Sequence, residues 1–110
     1  MIFSKSHCPY CKAAKELLNE ILKDEKFSDV RMDVVELDKL QNEDGSKIQA
    51  YLAQMTGQRT VPNIFIDSQH VGGNADLQEK HDEGVLVDWI LSSLDDEYDE
   101  GEDEEEEEEL

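Results

Sequence analysis

Proline 9 decides where the first helix of this chain can begin. Ala13, Ala14, Leu17, Leu18, Ile21 and Leu22 recur at the spacing of one helical face, with Lys12, Lys15, Glu16, Asn19 and Lys23 opposite. A proline ring fits such a helix only in its first turn, where the missing N–H costs nothing. Pro9 therefore opens the helix and Cys8 takes the N-cap. The chain's two cysteines, Cys8 and Cys11, then stand at the helix start and one turn inside it.

Charge limits how much chain can join a core. The net charge is −19, but thirteen of the 29 acidic residues and none of the ten Lys and Arg lie in residues 95–110, so residues 1–94 carry only −6. One domain over residues 1–94, followed by a disordered acidic tail over 95–110, is the expected organisation. The basic residues are scattered, which argues against nucleic acid as a partner. No run of about 20 apolar residues is present to span a membrane, and residues 1–4 are too short for a secretory apolar region. The reading is a protein of a reducing compartment, the cytoplasm.

The remaining pattern alternates strands and helices. Residues 30–38, VRMDVVELD, are rich in β-branched side chains and read as a strand covered on both faces. SKIQAYLAQMTG places Ile48, Tyr51, Leu52 and Met55 on one helical face, with Gly57 as a stop. NIFID, a turn at SQ, and HVGG form a hairpin; Asn74 is a candidate N-cap for a short helix. GVLVDWILSSL puts Val85, Leu86, Trp89, Ile90 and Leu94 on the inner face of a last helix. The order β-α-β-α-β-β-α-α implies an α/β fold, with helices covering a small mixed sheet.

A thiol attacks only as thiolate, so something must lower its pKa. At the N-cap, Cys8 faces unpaired N–H groups and the positive end of the helix dipole, with Lys5 three residues upstream. Cys8 is thus the attacking residue, and Cys11 is placed to attack a mixed disulfide formed on it. A structural disulfide across so short a loop would stabilise little. Half of a zinc site would also read C-x-x-C, but His7, His70 and His81 stand at no recognised zinc spacing. His7 is either a base or a solvated loop residue.

Cys8-Pro9-Tyr10-Cys11 after FSKS, TVP at 60–62 and GGNADL at 72–77 together resemble a dithiol (CPYC-type) glutaredoxin of the thioredoxin-fold superfamily, over about residues 1–94. The resemblance implies a thioredoxin-like three-layer α/β/α fold with a four-stranded mixed sheet. It implies a glutathione-dependent thiol–disulfide oxidoreductase that reduces protein–glutathione mixed disulfides and protein disulfides through Cys8 and Cys11. Glutathione as co-substrate, no bound cofactor and a monomeric state are further expectations that the resemblance implies. Thr60, Val61 and Pro62 match the segment that meets the cysteinyl part of glutathione, Val61 through its backbone. Gly73, Ala75 and Asp76 match the helix start that takes the γ-glutamyl carboxylate, with the Asp76 side chain meeting the α-ammonium. Lys5, Gln49 and Arg59 match the positions around the glycine carboxylate, and Tyr10 lines the groove or shields Cys11. Gln49 reads equally as the partner of Ser46 in a capping box.

Family members normally have a helix and more strand residues before FSKS; here residues 1–4 leave a shortened central strand, a fragment, or an alternative start. The alternative function is a glutathione-ligated 2Fe–2S cluster-binding dimer sharing its cluster through Cys8 of each subunit. Pro9 counts against it, since its rigid ring restricts approach where cluster binders in the family usually carry Gly or Ser. The acidic tail is a solubilising segment or a site for basic surfaces.

Overall fold

A computed structural model describes residues 1–103, with side chains for residues 1–94. Its middle strand, β1 (Ile2–Ser4), is also among its shortest elements. It pairs in parallel with β2 (Val34–Glu36), setting Ser4 opposite Glu36, and antiparallel with β3 (Asn63–Ile66). β3 doubles back into β4 (Gln69–Gly72), completing a mixed sheet of order β2-β1-β3-β4. The helices are α1 (Pro9–Ile21), α2 (Asp44–Thr56), α3 (Asn74–Asp82) and α4 (Leu86–Asp103).

Alternation along β1 sends Ile2 and Ser4 to one face and Phe3 to the other. On the first face Ile2 and Ile64 join Ala14 and Leu18 of α1, Leu77 of α3, Leu86 and Ile90 of α4, and Phe27 in one buried cluster. Each such aliphatic side chain contributes about 1.5–3 kcal/mol by leaving water. On the second face Phe3 meets Phe65 edge to face at 6.1 Å. α2 completes the three layers, seated on the single 3₁₀ turn Leu37–Lys39 that follows β2.

The structure redraws several boundaries. The strand read over residues 30–38 is regular only at Val34–Glu36: Arg31 pairs with Asp33 at 3.1 Å before it, and the chain curls after it to bury Leu37. The hairpin turns at Asp67 and Ser68, both left-handed (φ 53° and 68°), one residue ahead of the SQ reading. Gly73, not Asn74, caps α3. α4 continues along the backbone to Asp103, nine residues past the expected end of the domain, while the tail reading for residues 104–110 lies outside the described residues. Val85 is exposed, because α4 starts after it.

The largest revision concerns α2. Glu43 takes the N-cap in a left-handed conformation (φ 65°), so the helix starts two residues before Ser46 and no Ser46/Gln49 capping box forms. The inward stripe becomes Gly45, Ile48, Leu52 and Thr56, leaving Tyr51 62% and Met55 52% exposed. Gly45 is required by close approach: a Cβ there would run into the Leu37 carbonyl. Gly45→Ala should therefore lift α2 off the sheet's second face and cost about 1–3 kcal/mol. Urea unfolding would show this as a lower midpoint, whereas an unchanged midpoint would mean that α2 is not seated on that turn.

Candidate functional site

The site assembles at the end of the sheet where β1 feeds α1. Cys8 has extended backbone (φ −91°, ψ 119°), and its Sγ accepts the Cys11 N–H at 3.3 Å, the bond expected of an N-cap side chain. Pro9 follows as the first helical residue. The loop before Cys8 is tied down by Asp38, which accepts the Ser6 N–H at 3.0 Å and the Ser6 hydroxyl at 2.5 Å; His7 Nδ1 lies 3.5 Å from the same carboxylate. Those bonds, led by the Ser6 hydroxyl, take the Asp38 pKa down to about 2. His7 is 77% exposed, a solvated loop residue paired with Asp38.

The two thiols have opposed environments. Partial burial disfavours a charged Cys8, but the Cys11 side chain, the N–H groups of Cys11 and Tyr10, and the Lys15 ammonium outweigh it and lower the Cys8 pKa. Burial pushes the Cys11 thiol up; the Lys5 backbone and the Ser4 hydroxyl oppose this, and neighbouring Cys8 reinforces it. A cation acting on Cys8 is Lys15, two helical turns along α1, which the sequence reading did not name beside Lys5. Lys15 turns in from the helix's polar side to pair with Glu36 at 2.7 Å.

Cys8 Sγ lies 3.8 Å from the Val61 carbonyl oxygen, which joins the thiols to the segment before β3. The peptide bond between Val61 and Pro62 is cis. Tyr10, Thr60, Val61, Pro62, Gly73, Ala75 and Asp76 line one groove of about 500 Å³. Gln49 and Arg59 line a smaller hollow with Ser46 and Ala50, where the Gln49 amide donates to the Arg59 carbonyl at 2.7 Å. Lys5 lines neither. Asp76 Oδ2 accepts the Gly73 N–H at 2.9 Å and packs where any Cβ on Gly72 would lie, so Gly72 (φ 125°) must be glycine. Part of the Asp76 carboxylate is thus committed to the helix start.

Sequence reasoning missed Gln58. Its amide donates to the Thr60 carbonyl at 3.0 Å and to the Pro62 carbonyl at 2.9 Å, pinning the segment that lies against Cys8. An amide directly after a helix-ending Gly and before a turn was the available signal. A further hollow among Ile2, Leu18, Met32 and Ile90 touches neither cysteine.

The glutaredoxin family model matches residues 1–71. The chain is 46% identical over 87 residues to a glutaredoxin of Ricinus communis, covering 79% of this chain and 76% of that one. It is 47% identical over 89 residues to glutaredoxin-2 of Schizosaccharomyces pombe, covering 81% and 73%. Among solved structures, a buckwheat glutaredoxin–glutathione complex superimposes with a TM-score of 0.72 at 42% identity, over 84% of this chain and 76% of that one. The holo form of glutaredoxin C1 from Populus tremula x tremuloides gives 0.74 at 38% identity, over 84% and 76%. With its four-stranded mixed sheet, its helix-capping cysteine and these relatives, the chain has the thioredoxin-like fold and belongs to the glutaredoxin family.

Proposed function

We propose that this chain is a dithiol glutaredoxin, a glutathione-dependent thiol–disulfide oxidoreductase. The observation that carries the reading is the Cys8 sulfur, held at the N-terminus of α1 and beside the Val61 backbone with its pKa lowered. In deglutathionylation the Cys8 thiolate attacks the glutathione sulfur of a protein mixed disulfide. The protein leaves as thiolate and takes a proton from water, and a glutathione thiolate then attacks the Cys8-bound glutathione, releasing oxidised glutathione and the Cys8 thiolate. With a protein disulfide, Cys8 forms a mixed disulfide with one substrate sulfur. Cys11 gives up its proton and attacks the Cys8 sulfur, so the substrate leaves as a dithiol; two glutathiones reduce the resulting disulfide. A potential of about −200 to −230 mV follows for the pair.

Glutathione is read into the groove in extended form. Val61 offers backbone N–H and C=O to its cysteinyl unit, with Tyr10, Thr60 and Pro62 as walls and Gln58 holding the segment in place. The N–H groups at Ala75 and Asp76 take the γ-glutamyl carboxylate at the start of α3, Gly73 lets the backbone come close, and the Asp76 oxygen not bound to the Gly73 N–H meets the ammonium. Gln49 and Arg59, with Lys5 at the loop, take the glycine carboxylate. The buckwheat relative, solved as a glutathione complex, supports this assignment. Pro9 at the first helical position weighs against the 2Fe–2S alternative. A monomer in a glutathione-supplied compartment such as the cytoplasm, with 95–110 as an acidic appendage, completes the proposal.

Two outcomes follow. Cys8→Ser should abolish glutathione-dependent reduction of both substrate types, while Cys11→Ser should keep deglutathionylation and lose protein-disulfide reduction; activity retained in Cys8→Ser would contradict the roles. Stability of the reduced protein should also follow pH in a set direction. Cys8, lowered on folding, stabilises above its unfolded value of about 8.5, a contribution lost as pH falls through the folded value; Cys11, raised on folding, costs stability as pH rises past about 8.5. Measured against a Cys8→Ser/Cys11→Ser double variant, urea stability of the reduced protein should rise with pH to a maximum near 8.5 and then fall. A flat difference would mean that folding does not shift the thiols.

A further inference from the structure

A charged cluster under the redox pair has no place in the reaction as described. Ser4, wholly buried on the central strand, donates its hydroxyl to Glu36 Oε1 at 2.8 Å. Lys15 donates to the other oxygen, Oε2, at 2.7 Å. Lys15 stands one helical turn beyond Cys11 and two beyond Cys8 on α1, and buried Ser4 ends the strand beside buried Cys11, which places the Ser4 side chain to bear on Cys11 and the Lys15 side chain on Cys8. Lys15 and Glu36 are only 23% and 27% exposed, so solvent screens their pairing less than that of the exposed surface pairs.

One carboxylate thus competes with two sulfurs for the same helpers. A hydroxyl has a single proton; the more firmly an anionic carboxylate holds the Ser4 proton, the less of it supports a Cys11 thiolate. An ammonium paired at 2.7 Å has much of its field cancelled before it reaches Cys8. We propose that Glu36 is a positioning residue of the redox pair, one that adds to burial in keeping Cys11 a thiol, restrains the support Lys15 gives to Cys8, and so tunes the equilibrium between dithiol and disulfide. This rests on the dithiol reading above. The other ionisable groups near the pair are Lys5, His7 with Asp38, Tyr10, Lys12 and Asp76.

The step that reads it out is the two-electron exchange in which oxidised glutathione and the dithiol give the disulfide between Cys8 and Cys11 and two reduced glutathiones. Whatever stabilises thiolate in the reduced form disfavours the disulfide. Glu36→Gln removes the competing charge while conserving shape and a weaker acceptor for Ser4, so it should lower the oxidation constant against glutathione. Lys15→Met leaves the carboxylate unopposed and should raise it. For partly exposed charges that act on the sulfurs from one or two side chains away, each change should be about threefold. The double variant Lys15→Met/Glu36→Gln, with no charge at either position, should fall between the single ones.

Quantifying dithiol and disulfide in glutathione buffers at pH 7, on the full chain, tests this, with urea midpoints measured alongside. Both single variants lose the ion pair and should lose stability, yet their oxidation constants should move in opposite directions. Constants that stay put, or move the same way, while stability falls would mean that the cluster only props the fold and would overturn the inference. If one single variant does not fold, the sign of the other against the double variant decides in the same way. A wild-type chain that forms no disulfide between Cys8 and Cys11 with glutathione would overturn the dithiol reading itself, and this inference with it.

Discussion

The hydrogen bond from the Cys11 N–H to Cys8 Sγ organises the rest of the molecule's chemistry. It exists because Pro9 must open α1, which leaves the residue before it at the N-cap, and because a sulfur there stands where free N–H groups converge. The same bond fixes the difference between the thiols. One is the acceptor at the helix end, part in solvent; the other is a turn inside, fully buried against β1. A nucleophile and a resolving group follow from three residues of separation on one helix.

That bond is useful only if the approach to Cys8 is held still, and two anchors hold it. On one side Asp38, carried back by the 3₁₀ turn after β2, grips the loop through the Ser6 N–H and hydroxyl. On the other, the Gln58 amide spans the Thr60 and Pro62 carbonyls, leaving the Val61 backbone turned to the sulfur. Both anchors sit at the ends of regular elements, α2 for Gln58 and β2 for Asp38. The short central strand pairs with β2 along all three residues and with β3 at Ile2 and Phe3, and it buries Ile2 and Ser4 completely.

Much of this was legible in the sequence where one local rule was decisive. Pro9 marks the helix start, β-branched runs and turn residues mark the succession of strands and helices along the chain, and residues of the C-x-x-C, TVP and GGNAD segments line one groove. What escaped depended on tertiary contact. Tyr51 and Met55 obey helical spacing, yet the close seat of Gly45 on the Leu37 carbonyl turns another stripe inward. Ser46 and Gln49 have capping-box spacing, but a left-handed Glu43 starts the helix earlier and frees Gln49 for Arg59. Lys15 reads as a solvated charge on the polar face of α1, and only β2 lying beside it makes it a partner of Glu36. Lys5 is nearer to Cys8 in sequence, yet Lys15 adds its charge to the Cys11 and Tyr10 groups that lower the Cys8 pKa.

The central claim is that the helix terminus holds Cys8 as the more acidic thiol while burial keeps Cys11 protonated. Iodoacetamide alkylation of the reduced chain across pH, with each site quantified by mass spectrometry, tests it most directly. The account predicts a Cys8 midpoint below the ordinary thiol value of about 8.5 and a Cys11 midpoint above it, with Cys11 reacting far more slowly. Equal midpoints near 8.5, or a lower one at Cys11, would contradict it.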